Sequence, residues 1–203
     1  MYDGKAAFFD AQAEAPWADG EYGPEERAKL KRLFGLLPDL RGAAVLEPGC
    51  GTGRLTRELS EAVGGEGAVL ALDISPRMVA VARKRLGDSG NVELRVAELE
   101  TCELSGRVFD AVLCHQVFPH FNDQSLALTR IAGLLRSTGL LVISHFIGRE
   151  RINDVHRKAG TAVEADLLPE EPEMRALLEA AGFEILHYED EDERYLLSAR
   201  LRG

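Results

Sequence analysis

Two rhythms of apolar positions alternate along this 203-residue chain. Short apolar runs at 43–47, 68–73, 92–96, 109–114 and 139–144 have the length of strands, and the fourth is apolar enough to be buried on both faces. Between them the apolar residues recur at helical spacing: Leu55, Leu59, Ala62 and Val63; Met78, Val79 and Ala82; then Leu126, Leu128, Ile131, Leu134 and Leu135. Such spacing lays one apolar stripe along a helix. Ahead of the first strand, Pro24-Glu25-Glu26 reads as a helix start, with proline in the first turn and acids near the positive end. Leu30, Leu33, Phe34 and Leu37 give that helix its apolar face, and Pro38 is expected to stop it. After the fifth strand the rhythm breaks over 152–168, a polar stretch that ends in Leu168-Pro169. It returns as a helix over 172–181 closed by Gly182, followed by strands at 183–188 and 195–201. The acidic run between those two strands, Glu189 to Glu193, reads as a solvated hairpin turn.

Alternating strands and helices predict a parallel sheet covered by helices on both faces, and the closing hairpin forces one reversed strand. The expected fold is therefore α/β: a doubly wound, mostly parallel seven-stranded sheet with the last strand antiparallel. Without repeats, low-complexity stretches or linkers, the chain reads as a single domain over 1–203. Residues 1–40 would form an N-terminal cap and helix, and 41–203 a core carrying an insertion around 148–170. The first 23 residues place Tyr2, Phe8, Phe9, Trp17 and Tyr22 in no regular stripe. Aromatic surface is costly to leave in water, so this segment is expected to close over a ligand held by the core.

The chemistry concentrates where the first two strands end. Val45-Leu46-Glu47-Pro48 runs into Gly49-Cys50-Gly51-Thr52-Gly53, and the second strand ends in Leu72-Asp73. Glycines serve where a chain turns tightly and lets a ligand touch its backbone, and the helix that follows offers unpaired N–H groups. A dinucleotide loop has the order G-x-G-x-x-G beside a pyrophosphate. Here an acid stands directly before three glycines at alternate positions. A carboxylate there repels a pyrophosphate and suits a ligand bearing an ammonium or sulfonium charge.

The segment resembles motif I of the class I S-adenosylmethionine-dependent methyltransferases, and the resemblance runs from about residue 45 to the C-terminus. It implies S-adenosylmethionine as cofactor and S-adenosylhomocysteine as product. Glu47 and the loop backbone at Gly49, Cys50, Gly51 and Gly53 would hold the methionine moiety, and Asp73 the ribose hydroxyls. Ile74 would pack on adenine. Glu98 would take the adenine amino group with Leu99 as its apolar neighbour, although many relatives have Gly-Asp-Ala where this chain has Ala97-Glu98-Leu99. Glu100 is the competing choice. Glu47 and Asp73 also have a plainer reading as caps of adjacent helices, and Glu98 as a surface acid.

Past the fourth strand the sequence reads Cys114-His115-Gln116-Val117-Phe118-Pro119-His120-Phe121. In the family this segment touches the cofactor's methionine end and faces the substrate. It lacks the Asn/Asp-Pro-Pro-aromatic signature of exocyclic or amide nitrogen methylation and looks more like the histidine-containing segment of small-molecule methyltransferases. His115 and His120 are the general-base candidates, because imidazole titrates near neutrality. His115 would also contact the cofactor, while His120, His145 and His156 would contact substrate, near Asn153 and Asp166. Each histidine has a structural reading as well, packed or hydrogen-bonded in place. No histidine shows a short metal-ligand spacing and the three cysteines are scattered, so no metal is expected.

Charge narrows the partners. The formal net charge is -10, without a concentrated basic run, and phosphate backbones are bound through clustered Lys and Arg, so nucleic acid is not an expected partner. Arg83-Lys84-Arg85 reads as an exposed helix end whose cations complement the dipole. Arg149, Arg151, Arg157 and Lys158 around the insertion would suit an anionic substrate, or simply be solvated. No apolar run approaches the about 18 residues of a membrane span, and no basic-then-apolar leader opens the chain. An odd number of scattered cysteines points to a reducing, cytoplasmic setting. The expected protein is an S-adenosylmethionine-dependent methyltransferase acting on a small molecule. Its rivals are a nicotinamide-dependent oxidoreductase on a similar sheet, which the glycine order and Glu47 count against, and a non-catalytic S-adenosylmethionine-binding regulatory module. The acceptor atom and the oligomeric state have no signature in the sequence.

Overall fold

The computed structural model describes residues 3–203; Met1 and Tyr2, the latter among the aromatics expected to cap a ligand, lie outside the described residues. The chain divides into two compact units, residues 1–103 and 104–203. In the first, helices α1 (Asp3–Gln12), α2 (Pro16–Asp19) and α3 (Pro24–Phe34) precede strand β1 (Ala44–Pro48), helix α4 (Arg54–Val63), strand β2 (Ala68–Asp73), helix α5 (Pro76–Leu86) and strand β3 (Val92–Val96). The strands pair in parallel in the order β3-β2-β1, with Val45 beside Val69 and Val69 beside Val92. Val45, Leu46 and residues 69–72 are buried, as continuous apolar strands under helices must be. Leu55, Leu59 and Val63 line the inner face of α4, and Met78, Val79 and Ala82 that of α5. Ser75 caps α5 by accepting from the Met78 N–H at 3.0 Å, and Pro76 occupies its first turn. Helix α3 stops at Phe34, earlier than Pro38 would require, because Gly35 disfavours further helix.

The N-terminal segment is helical and bolted down. Ala13, Ala18 and Met78 form a buried cluster flanked by Phe9 and Val81. Asp10 accepts from the Ser75 hydroxyl and from the Arg77 N–H at 3.0 Å, and the Thr52 hydroxyl donates to the Ala18 carbonyl. Arg85 is not the exposed helix end expected from its sequence: its side chain is only 8% exposed and reaches Asp19 at 2.9 Å, Glu21 at 2.8 Å and the Thr52 carbonyl at 2.9 Å. These partners lie 33 to 66 residues away, so the local pattern of Arg83-Lys84-Arg85 carried no trace of them. Tyr22 is buried with the Arg54 guanidinium 3.9 Å from its ring centre, whereas Trp17 remains 57% exposed.

The second unit holds strand β4 (Phe109–His115), a 3-10 turn (Phe118–His120), helix α6 (Gln124–Leu134), strand β5 (Leu135–His145), helices α7 (Arg149–Ala159) and α8 (Glu171–Ala180), and strands β6 (Phe183–Glu191) and β7 (Arg194–Leu201). β5 runs parallel to β4, while β7 is antiparallel to both β5 and β6. β5 begins at Leu135, where a helix was expected to continue. Residues 136–138 are exposed and the pairing shifts register between Phe109 and Ala111, so this entry has no apolar run to announce it. The acidic run also departs from expectation. β6 extends through it to Glu191; Glu189 is buried against Arg194, and Asp190 accepts from the Arg149 N–H at 2.9 Å to cap α7. The seven strands follow the order β3-β2-β1-β4-β5-β7-β6 in a mostly parallel sheet with helices on both faces and the last strand antiparallel, the α/β doubly wound fold that the alternation predicts. Among the described residues no helix is long and apolar enough to cross a membrane.

Arg85 supplies the first prediction. Replacing it by alanine strands the Thr52 carbonyl and two acids, and charged hydrogen bonds are each worth about 1.5–3 kcal/mol where they are buried. Because Asp19 and Glu21 are half exposed, the expected loss is about 1–2 kcal/mol in urea denaturation, with faster proteolysis within residues 3–22. Unchanged stability and cleavage would mean that the segment is held by its apolar cluster alone.

Candidate functional site

In the first unit, three glycines with positive φ (71° at Gly49, 53° at Gly51 and 79° at Gly53) turn the chain from β1 into α4. A side chain at Gly53 would place its Cβ 3.0 Å from that of Ala82, so this glycine permits α5 to approach. Gly51 faces open space. The loop is pinned to β2: the Cys50 N–H donates to the Leu72 carbonyl at 2.9 Å and the Gly51 N–H to Asp73 Oδ2 at 2.8 Å. The other Asp73 oxygen accepts from the Ser75 N–H at 2.8 Å. Asp73 is buried, which pushes its carboxyl up to about 6 even though these backbone donors favour the charged form.

Glu47 is the most strained group here electrostatically. It is 2% exposed, and burial, with Asp73 adding repulsion, pushes its carboxyl up to about 8. The Thr56 hydroxyl lies beside it and opposes the shift, but without hydrogen-bond geometry: Glu47 Oε2 and Thr56 Oγ1 have no partner among the described residues. A buried carboxyl with an open lone pair is a place for a cation. The Cys50 thiol, also buried and facing both acids, is pushed up as well, which keeps it neutral and unreactive. At the third strand tip the Ala97 N–H donates to the Asp73 carbonyl at 2.9 Å. Beyond it Leu99 is buried, Glu98 is half-buried and accepts from the Thr101 hydroxyl at 3.1 Å, and Glu100 is buried. Ile74 is half-buried beside Asp73.

In the second unit the four expected histidines converge. His115 ends β4, its Nδ1 2.8 Å from the Ser144 hydroxyl and its Nε2 3.3 Å from the Gln116 amide nitrogen, with its ring edge-on to Phe146. His120 closes the 3-10 turn and its Nδ1 lies 2.8 Å from Asp166 Oδ2. His156, on α7, is held through Nδ1 by the Asp166 carbonyl, and the rings of His120 and His156 are 4.6 Å apart. His145 ends β5, 6% exposed; burial and the three neighbouring imidazoles hold it well below its ordinary value, so it is neutral. Its Nε2 has no partner among the described residues. The polar insertion makes this convergence possible. Asn153 exchanges two hydrogen bonds with Leu168, at 3.0 and 2.8 Å, folding the loop back so that Asp166 meets His120. Sequence reading placed Asp166 near the site without a partner; nothing local marks it. The insertion's arginines are committed elsewhere: Arg149 to Asp190, Arg151 to Glu193 and Arg157 to Asp154. Arg149 lines an open cleft of about 600 Å³ with Glu170, Glu171, Glu189, Asp190 and Glu191, where acids outnumber it. Of the two readings of these charges, this favours solvation over attraction of an anionic substrate.

Residues 46–143 match the methyltransferase-domain family. The chain is 34% identical over 118 residues to the malonyl-[acyl-carrier protein] O-methyltransferase of Acetivibrio thermocellus, covering 58% of this chain and 40% of that protein. It is 38% identical over 142 residues to the ubiquinone biosynthesis O-methyltransferase of Xanthomonas oryzae pv. oryzae, covering 67% and 58%. The chain thus spans about half the length of these curated relatives. Among solved structures, the magnesium protoporphyrin IX methyltransferase of Synechocystis PCC 6803 with bound S-adenosylhomocysteine superposes with a TM-score of 0.70 at 21% identity, over 99% of this chain and 97% of that one, a likeness of fold. Over residues 46–143 the chain is thus similar to the methyltransferase-domain family, and its fold is that of solved methyltransferases.

The buried acid generates a stability prediction. Glu47 titrates at about 8 in the folded protein against an ordinary 4.5, so the fold holds this proton more tightly than the unfolded chain does. Its contribution is full below 4.5 and is lost as pH rises towards 8. Glu47→Gln removes that loss. Urea denaturation at about pH 5 and about pH 8.5 is expected to show the variant gaining on the parent at the higher pH, by at most roughly 5 kcal/mol at 1.4 per pH unit. An equal gap at both values would show that Glu47 is already ionised and paired.

Proposed function

We propose that this chain is an S-adenosylmethionine-dependent methyltransferase that transfers a methyl group to a small-molecule acceptor. The observation that carries the reading is Glu47: a buried carboxyl with an open Oε2, directly before a glycine loop anchored on Asp73. The cofactor fits these residues. Its ammonium supplies the partner Glu47 lacks and favours the ionised acid. Asp73 has lone-pair capacity left beyond its backbone donors and would take the ribose hydroxyls. Gly49, Cys50, Gly51 and Gly53 would present backbone to the methionine moiety, with Ile74 and Leu99 against adenine and Glu98 or Glu100 at its amino group. When bound, the cofactor supplies a methyl group activated by the sulfonium charge. A pyrophosphate beside Glu47 would meet like charge, which disfavours the nicotinamide alternative.

The second unit would present the acceptor. His120, His145 and His156 offer it hydrogen-bonding nitrogens, and His115 and His120 remain the general-base candidates, His115 also contacting the cofactor. The named activities of the two O-methyltransferase relatives support a small-molecule acceptor, and the bound S-adenosylhomocysteine of the Synechocystis structure supports the cofactor. The family match runs through both units, which supports one methyltransferase domain over 1–203. The hydrogen bonds from Thr52 to Ala18 and from Arg85 to Thr52 support residues 3–22 as a cap on the glycine loop. Three free cysteines support a reducing, cytoplasmic location, and the net charge of -10 disfavours nucleic acid.

Titration calorimetry with S-adenosylmethionine, S-adenosylhomocysteine and a nicotinamide dinucleotide tests the cofactor. Asp73→Ala is expected to weaken S-adenosylmethionine binding by ~30–1000-fold, since hydrogen bonds to a charged group are each worth about 1.5–3 kcal/mol. Because Asp73 also holds Gly51 and Ser75, the variant is expected to lose about 1–3 kcal/mol of stability as well. Formation of S-adenosylhomocysteine with a panel of small hydroxyl and amine acceptors tests turnover. Binding of the dinucleotide alone would overturn the proposal.

A further inference from the structure

A sheet that does not close has two edges, and an edge strand offers its outward N–H and C=O groups to any strand that can pair with them. Here the edges are β3 and β6. β6 is defended. Its pairing slips between Ile185 and His187, and its charged residues, Glu184, Glu189, Asp190 and Glu191, are all acids that would repel a second β6. β3 has neither device: its five residues pair with β2 in unbroken register and include no proline.

The parallel ladder settles which groups of β3 point outward. The Asn91 carbonyl accepts from the Val69 N–H and the Ala97 N–H donates to the Asp73 carbonyl, so residues 91, 93, 95 and 97 turn their backbone towards β2. Val92, Leu94 and Val96 turn theirs away. The Val92 N–H is taken by the Ser89 carbonyl at 3.2 Å. The Val92 carbonyl and both backbone groups of Leu94 and Val96 have no hydrogen-bond partner among the described residues. Side chains alternate as well. Val92, Leu94 and Val96 share one face, where Val92 and Leu94 line a cleft of about 160 Å³ with Arg83 and Leu86 of α5, and Val96 is 47% exposed. Glu93 and Arg95 share the other face, 2.6 Å apart and partly exposed.

Reversed, the sequence Val92-Glu93-Leu94-Arg95-Val96 keeps its apolar positions and exchanges its charges. Two copies related by a twofold axis between their Leu94 residues therefore match at every position. Leu94 exchanges both outward hydrogen bonds with its equivalent, and the Val96 N–H meets the Val92 carbonyl of the second copy. Glu93 faces Arg95 of the second copy in a non-hydrogen-bonded pair, the kind whose side chains lie closest. A guanidinium has five donors, so Arg95 can hold Glu93 of its own strand and that of the other copy together. Each half-exposed Val96 lands beside Val92 at the other copy's cleft. Edge charges deter strands that fail to match them; the strand that matches these is β3 itself.

We infer that β3 is a self-association surface, through which two copies of this chain pair antiparallel across Leu94 into one continuous sheet. The surface lies in the first unit and owes nothing to the methyltransferase reading.

Sedimentation of the whole chain over a concentration series is the test. One strand pair with a small cleft is at the low end of specific interfaces, so the mass is expected to double with a midpoint of about 10–100 μM. Arg95→Glu and Glu93→Arg each bring like charges face to face at both symmetry-related pairs, and each should weaken association about tenfold or more. Mixed in equal amounts, the two variants should pair with each other as the parent does with itself, and the double variant Glu93→Arg, Arg95→Glu should associate again; both rescues require folded variants. A parent that stays monomeric, association that ignores either single variant, or variants that fail to rescue each other would each overturn the inference. Hydrogen exchange of the parent needs no substitution. It should slow at the Leu94 and Val96 amides as concentration crosses the midpoint, and unchanged exchange there would overturn the inference as well.

Discussion

The carboxylate of Asp73 accepts the backbone N–H groups of Gly51 and Ser75, and so joins the glycine loop, the tip of β2 and the start of α5 into one piece. Other features of the first unit depend on that joint. Ser75 can cap α5 because its own N–H is fixed, and Asp10 can reach Ser75 and Arg77 because the turn between them is set. The Cys50 N–H completes the tie by donating to the Leu72 carbonyl. A loop built from glycines has the most conformational freedom to lose, and these bonds offset that loss before any ligand arrives.

Against this well-satisfied joint stand polar groups whose burial costs stability. Glu47 is shut away with an open oxygen, and His145 with an open ring nitrogen, among the described residues. Neither arrangement is what folding alone would select, because a buried polar atom without a partner costs about 1–3 kcal/mol. Both sit at the carboxyl end of a strand, where open α/β sheets bind their ligands. The fully engaged groups, such as Arg85 and Asn153, serve instead to hold chain segments in place.

Much of this was legible locally. The apolar runs located all seven strands to within a few residues, because burial on a sheet face requires consecutive or alternating apolar side chains whatever the neighbours are. The acid, the glycines and the second acid pointed to the loop because positive φ and backbone exposure restrict residue type at those positions. The early start of β5 was invisible, since its first residues are exposed and only their pairing with Phe109 makes them strand.

By itself, then, the sequence determined the alternation of elements, the class of fold and the place of the glycine turn between the first strand and its helix. Those properties follow from periodicity and backbone conformation, which are local. Tertiary structure decided which charges are paired and which imidazole has a carboxylate behind it. His120 and Asp166 are 46 residues apart, Arg85 and Asp19 are 66, and Ser75 and Asp10 are 65. A side chain carries no record of a partner that far along the chain; the meeting exists only once the backbone has folded. Glu47 is the same case, because a carboxyl's charge depends on how much water the finished core leaves it.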